Sequence, residues 1–183
     1  MINSLSFDSN VSATFQTKAK AMLDLISLHI PLAKKTYSDA LKNGAITVTV
    51  VPANTLLSSH AHWDQSSRTI RISANASAST QLLYLLFEMC NAANPLWASR
   101  RNPLEFTSAD AYADYEERIE FHSAKNCYDI LNAIKQNSSL MTILAQNGIT
   151  SSDINEALSE IPGQSLDAYM KAVHDKAANG LGY

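Results

Sequence analysis

The stretch TIRISANASASTQLLYLLFEMCNAANP, residues 69–95, decides the fold of this chain. Its first five residues alternate β-branched and polar side chains, which predicts a half-exposed strand over 69–73. Thr80 stands where a helix N-cap is expected, and the apolar run after it predicts a helix to about Ala93, because Pro95 stops its continuation. A helix that is apolar on nearly every side is normally central and buried. We therefore expect a core built on this strand and this helix.

Mostly helical patterns flank this central stretch. On its N-terminal side, apolar spacing predicts helices over residues 11–28 and 31–42, and the β-branched run 45–51 predicts the clearest strand. Residues 53–67 have the composition of a loop. On its C-terminal side, Thr107 or Ser108 is expected to cap a long helix that ends near Gln136, with shorter helices at about 138–146, 152–158 and 165–178.

These elements favour an α+β fold that is predominantly helical. Two clear strands precede a helical half, which is the segregated order of α+β proteins, and we expect a small two- or three-stranded sheet against the central and long helices. A length of 183 residues fits a single domain. We divide it into N-terminal helices (1–44), strands with the central helix (45–104) and the helical half (105–183).

Composition narrows the classes of function. The chain is 46% apolar and 17% charged, with a formal net charge of -3. These values predict a soluble protein with its own core and make nucleic acid an unexpected partner. No membrane span or cleaved signal is predicted, so we expect a cytoplasmic protein as synthesised, with export without a cleaved signal left open. Cys90 and Cys127 are predicted to be reduced and buried in helices.

The strand 69–73 followed by the helix containing Phe87-Glu88-Met89-Cys90-Asn91 resembles the zincin metallopeptidases. In that family an edge strand precedes a helix bearing His-Glu-x-x-His. The resemblance covers at most residues 69–91, together with the later acidic helix at the place of the helix that supplies a third ligand in some zincins. It assigns Glu88 the position of the general base. Phe87 and Asn91 stand at the positions of the two histidine ligands, and neither side chain is a good zinc ligand. The resemblance therefore implies a zincin-like scaffold that has lost its metal, and the alternative is a chance succession of a strand and an apolar helix. In either case we expect no metal or other cofactor.

Glu88 is the leading candidate for a functional residue. It is the only charge between residues 74 and 99, and a buried carboxylate costs several kcal/mol unless it is paired or protonated. Tyr84 and Asn91 lie on the same helical face and are expected to join it in a polar network. A structural ion pair, a ligand or catalytic pocket, and plain exposure are the alternatives. The cationic partners expected for an ion pair are Arg118, Arg100 and Arg101.

The long helix carries a second group of candidates in the segment Glu116-Glu117-Arg118-Ile119-Glu120-Phe121-His122. Glu117, Arg118 and His122 are candidate binding residues, since Arg118 and His122 flank the predicted inward stripe and one of them is expected to meet Glu88. A histidine on such a stripe is more often a hydrogen-bonded core residue. The predicted inward stripe consists of Tyr112, Tyr115, Ile119, His122, Ile130 and Ile134.

Two further constellations are weaker. His60 and His62 have the alternate spacing that puts two imidazoles on one side of a strand, and Asp64 could add an oxygen ligand for a metal ion. A surface loop with Trp63 packed inward is the preferred interpretation. Cys90 and His122 form a conceivable nucleophile pair, although an apolar environment would make the thiol inert. No phosphate-binding, nucleophile-elbow or kinase motif is present.

Two functions follow from these patterns. The first is a non-catalytic protein-protein interaction, because the motif-poor, Asn-, Ser- and Ala-rich composition resembles effector or accessory proteins of bacterial secretion systems. The second is a hydrolase-like enzyme that uses Glu88. An enzyme should have an open cleft beside Glu88 with His122, Asn91 or Glu117 converging on it. A binding module should be closed there and expose an apolar patch elsewhere.

Overall fold

A computed structural model describes residues 4–52, 55–56, 60–160 and 165–178. The strands are β1 (Leu5–Phe7), β2 (Ile46–Val51), β3 (Ala61–Asp64) and β4 (Thr69–Ser73). The helices are α1 (Ala13–His29), α2 (Pro31–Leu41), α3 (Ala78–Ala93), α4 (Pro95–Ala98), α5 (Ala109–Gln136), α6 (Ser138–Gln146), α7 (Ser151–Glu160) and α8 (Leu166–Ala178). Helices predominate over one small sheet, which confirms the predicted α+β class.

The sheet has the strand order β1-β2-β4-β3. β1 pairs with β2 and β2 pairs with β4 in parallel, whereas β3 pairs with β4 antiparallel. β3 lies within residues 53–67, where a loop was predicted, so that prediction is wrong for Ala61–Asp64. The strand before α3 is consequently an interior strand, with Ile70 and Ile72 fully buried, and the edge of the sheet beside α3 is β3.

The central position predicted for the apolar helix is confirmed. α3 packs against α2, α5, β3 and β4, and Leu85, Leu86 and Met89 have no exposed surface. Its N-cap is Ser77, whose hydroxyl accepts a hydrogen bond from the Thr80 backbone N–H. Thr80 therefore lies inside the first turn, and the predicted cap was three residues too late.

The stripe predicted for the long helix α5 is confirmed in part, since Ile119, Ile130 and Ile134 are buried whereas Tyr112 and Tyr115 are only partly buried. The buried residues of α5 are Ile119, Ser123, Ala124, Cys127, Ile130, Leu131 and Ile134. His122 is exposed, although it was predicted to lie on the inward stripe. The reason is angular, because Ile119, Ser123 and Cys127 follow one another at four-residue intervals and His122 lies one position, about 100°, off this row.

One continuous hydrophobic cluster joins the sheet to the helices, from Leu5 in β1 to Ile154 in α7.

The cap predicted for the long helix is confirmed at Ser108, whose hydroxyl accepts a hydrogen bond from the Ala111 N–H. No helix among the described residues has the length and apolarity needed to cross a membrane. α3 contacts both the edge strand β3 and the helix α5, and polar groups of the three elements interact with one another.

Candidate functional site

The edge strand β3 brings backbone donors and acceptors to the side of α3. The Ser73 N–H donates to the His60 carbonyl at 2.9 Å, which makes residues 60 and 73 a hydrogen-bonded pair in the antiparallel register. Because such pairs alternate, the N–H and C=O groups of Ala61 and Trp63 point away from β4. No strand among the described residues pairs with this outer edge of β3.

Glu88 lies where this open edge meets α3. Its side chain is 4% exposed, and its carboxylate accepts a hydrogen bond from the Trp63 backbone N–H. It also accepts from the Asn91 amide, with a distance of 2.9 Å from Nδ2 to Oε2. Burial raises the pKa of Glu88 from 4.5 to about 7, and the two hydrogen bonds only partly oppose that increase. Glu88 therefore takes up a proton close to neutral pH.

Asn91 links Glu88 to the segment after α3. It is 4% exposed, and its carbonyl oxygen accepts a hydrogen bond of 3.3 Å from the Trp97 indole N–H. The predicted pairing of Glu88 with Asn91 is thus present, but Tyr84 has another neighbour, since its ring stacks on His60 at 5.4 Å between centroids. The amide at position 91 fixes the carboxylate of Glu88 while holding α4 against α3.

Glu120 of α5 is the second acid of this site. Burial is the largest cause that raises its pKa, from 4.5 to about 8, and the neighbouring carboxylates of Glu117 and Glu88 raise it further. A hydrogen bond with Asn91 acts in the opposite direction. Asn91 therefore serves both acids, and the two carboxylates are close enough for each charge to oppose the other.

The cation predicted to pair with Glu88 is not found there. Arg100 pairs instead with Glu116 at 3.0 Å, and Arg101 pairs with Glu105 at 3.0 Å. Arg118 is exposed on α5. Neither Glu88 nor Glu120 forms an ion pair with any residue that the structure describes. The prediction failed because the loop after α4 directs its arginines to acids that are nearer the surface.

Helix α8 reaches the same region through Tyr169. The Tyr169 hydroxyl donates to Glu117 Oε2 at 2.9 Å, and burial together with the charges of Glu120 and Glu117 raises the pKa of Tyr169 far above its ordinary value. Glu117 is half-buried, whereas His122, also a candidate binding residue, is exposed. Glu88, Asn91 and Glu117 therefore belong to the region where α3 meets α5, and Arg118 and His122 lie on the solvent side.

The two weaker candidate sites of the sequence analysis are not formed in the structure. His60 stacks on Tyr84, whereas His62 lies on the exposed side of β3, where partial burial and then the charge of Arg71 lower its pKa. Trp63 is packed inward, as predicted, at 8% exposure. Cys90 and Cys127 are both buried, as predicted, and they contact each other, so burial raises the pKa of the Cys90 thiol.

Two members of the site escaped the sequence-based predictions. Glu120 stood in the quoted segment of the long helix but was not named as a candidate, although its spacing of one helical turn from Glu117 was a usable signal. Tyr169 lies 52 residues from Glu117, and no pattern in the sequence connects them. Among the described residues, no group of three or more His, Cys, Asp and Glu side chains is arranged to hold a metal ion.

Comparison with known proteins does not identify a family for this chain. No protein-family model matches the chain, and neither the curated proteins nor the solved structures searched contain a match. Function must therefore be argued from the geometry of this site.

Proposed function

We propose that the protein is a non-catalytic binding module that recognises an extended segment of a partner protein carrying a basic side chain. The observation that carries this proposal is the outer edge of β3, with which no described strand pairs and where the Trp63 N–H is bonded to the buried carboxylate of Glu88. An exposed strand edge accepts a partner strand through main-chain hydrogen bonds, and nearby pockets select its side chains.

Charge complementarity specifies the basic side chain. Glu88 and Glu120 lie close together without an ion-pair partner among the described residues. A guanidinium or ammonium group supplied by the partner would replace the protons that these acids hold near neutral pH, with charge-assisted hydrogen bonds of the stronger kind. Glu117 and Asn91 supply further oxygen atoms.

Apolar groups beside the site support an interface. Leu96 is 38% exposed and Leu104 is 91% exposed, and both belong to the segment whose Trp97 donates to Asn91. Interfaces combine such exposed apolar contacts with a few buried polar anchors. An effector or accessory protein of a bacterial secretion system remains our prediction for the biological setting, and it rests on composition alone.

Selection from a display library of random dodecapeptides tests this proposal. Peptides are selected on the full chain and counter-selected on the Glu120→Gln variant. We expect the selected peptides to share a basic residue flanked by β-branched residues, and to bind the unaltered chain about tenfold more tightly than the variant. The Ala61 amide should shift in the nitrogen–proton correlation spectrum when such a peptide binds.

Two controls make the result decisive. Replacing the arginine of a selected peptide by citrulline, which keeps its shape and removes its charge, should weaken binding by a similar factor. Glu156→Gln removes a carboxylate from the exposed face of α7 and should leave binding unchanged. Equal binding of the arginine and citrulline peptides, or amide shifts confined to surfaces away from β3, would reject the proposal.

A hydrolase-like activity of Glu88 on a zincin-like scaffold is the second candidate. It is favoured by one observation, the pKa of Glu88 near 7, because a general base or acid works best when its pKa lies near the working pH. Its test is a panel of peptide and ester substrates with Glu88→Gln as the control. Turnover that disappears in this variant would establish catalysis, and absence of turnover across the panel would leave the binding module as the better account.

A further inference from the structure

Helix α8 is attached to the rest of the molecule differently from the other helices. It packs chiefly on α5, and its buried residues Tyr169 and Met170 form a small cluster with Ala124 that is separate from the main core. Partly buried apolar side chains around this cluster are Phe87, Phe121, Leu166 and Val173. Displacing α8 would therefore leave the main hydrophobic cluster intact.

Two polar contacts of α8 within the described part of the chain are made with acids of α5. The Tyr169 hydroxyl donates to Glu117 at 2.9 Å, and His174 Nε2 lies 3.0 Å from Asp114 Oδ1. His174 is 53% exposed and Asp114 is 39% exposed, so water competes for the second contact. The buried anchor is consequently Tyr169, a neutral donor placed on the carboxylate next to Glu120.

A basic side chain would compete directly with this hydroxyl. A phenol donates one neutral hydrogen bond, whereas a guanidinium donates several and also offsets the charge of both carboxylates. From these contacts, and on the basis of the binding function proposed above, we propose that α8 is an autoinhibitory latch: Tyr169 occupies Glu117 until a basic partner segment displaces the helix.

Substitution in the full chain tests the latch. Tyr169→Phe removes the donor while keeping the ring, and Met170→Asp places a carboxylate in the apolar seat of α8 so that the helix detaches even if the hydroxyl contributes little. Tyr128→Phe, which removes a hydroxyl two turns beyond Glu120 on the same helix, is the matched control. The probe is an arginine-containing peptide selected as described above, with its citrulline form beside it.

The latch makes two measurable predictions. The arginine peptide should bind Tyr169→Phe about fivefold more tightly than the unaltered chain, which is the affinity recovered when one neutral hydrogen bond no longer opposes binding. In hydrogen–deuterium exchange, the peptide or either α8 substitution should speed exchange of residues 166–178 and leave α3 protected. Tyr128→Phe should change neither the affinity nor the exchange of α8.

The outcomes separate the latch from the binding function. Equal affinity of the peptide for the unaltered chain, Tyr169→Phe and Met170→Asp would overturn the latch and leave the binding function in place. Exchange that rises together in α8 and α3 would also overturn it, because α8 would then be part of the cooperative core. Absence of any arginine-dependent binding to all four proteins would reject the binding function, and the latch with it.

Discussion

Two groups of acidic side chains in this protein differ in their partners. Six acids nearer the surface pair with cations: Asp39 with Lys35, Asp64 with Arg71, Glu105 with Arg101, Glu116 with Arg100, Asp129 with Lys125 and Asp175 with Lys171. Of the acids between α3 and α5, Glu88 accepts hydrogen bonds from the Asn91 amide and the Trp63 backbone N–H, and Glu120 has a hydrogen bond with Asn91. This distribution reverses the usual one, in which buried charges are the ones that are paired.

This difference indicates that Glu88 and Glu120 hold a proton where the other acids have a cation. A carboxylate that loses water without gaining a cation keeps its proton to higher pH, which is the direction of change for both Glu88 and Glu120. A group held in this costly state is a candidate for binding, because a ligand cation can take the place of the proton. The exposed pairs carry no such cost, since water already solvates both partners.

The largest effect that we expect is a loss of stability as the pH rises. The pKa of Glu88 rises from 4.5 to about 7 and that of Glu120 from 4.5 to about 8 on folding. Between these limits the folded chain binds more protons than the unfolded chain, so the free energy of unfolding decreases with increasing pH. We expect a decrease on the order of 6 kcal/mol between about pH 5 and about pH 8.5, measured by urea denaturation.

The double variant Glu88→Gln/Glu120→Gln is the control for this decrease. Glutamine retains an oxygen acceptor for the Trp63 N–H and carries no charge. The variant should have a flatter pH profile and should exceed the stability of the unaltered chain at about pH 8.5. A buried ion pair would give the opposite sign, because removing one partner strands the other. A double variant that is less stable than the unaltered chain at high pH would therefore contradict the cation-free site.

Asn91→Ala should have the next largest effect. The change removes the amide donor to Glu88 and the acceptor of the Trp97 indole N–H, which leaves buried polar groups unsatisfied. We expect a loss of roughly 2 kcal/mol at pH 8 and a smaller loss at pH 5, where protonated Glu88 depends less on the donor. Asn155→Ala on the exposed side of α7 should cost little at either pH. A loss equal at the two pH values would show that Asn91 acts by packing alone.

Local signals predicted most of the fold. The apolar run of α3 and the stop at Pro95 located the end of the central helix at Ala93 and its cap to within three residues, and Ser108 was a correct cap for α5. β3 was missed because Ala61–Asp64 is too short and too polar to have a strand pattern of its own. It exists through pairing with β4, and pairing between segments is tertiary information.

The candidate site was predictable only in part. Burial of Glu88 and its bond with Asn91 followed from their spacing on an apolar helix, since both depend on one element. The cation was predicted wrongly because its position depends on how α4 and the turn at Pro103–Glu105 direct Arg100 and Arg101. The place of Tyr169 in the site could not be predicted from the sequence, because α8 contacts α5 across a long separation in the chain.

Asp64→Asn tests the group of acids that pair with cations. Asp64 accepts hydrogen bonds from the Ser66 N–H and hydroxyl and from the Ser67 N–H, and it pairs with Arg71 at 3.0 Å. These contacts, the Ser66 hydroxyl foremost, hold its pKa far below 3.8. Its contribution is therefore present above pH 3.8 and is lost as the pH falls, the opposite sign to Glu88. We expect a cost of about 1 kcal/mol at pH 7. A cost that grows at low pH would contradict this assignment.

The smallest effect should come from Lys35→Ala in α2. Lys35 Nζ lies 2.6 Å from Asp39, a shorter separation than most contacts of the inner acids, but the two side chains are 74% and 42% exposed. Because water screens the pair and ordering a lysine costs side-chain entropy, we expect a change below about 0.5 kcal/mol, which decreases further as salt is added. Thermal melts at low and high ionic strength measure it. A change above about 1 kcal/mol would mean that distance rather than burial decides the energy of these acids, and the contrast between the two groups would fail.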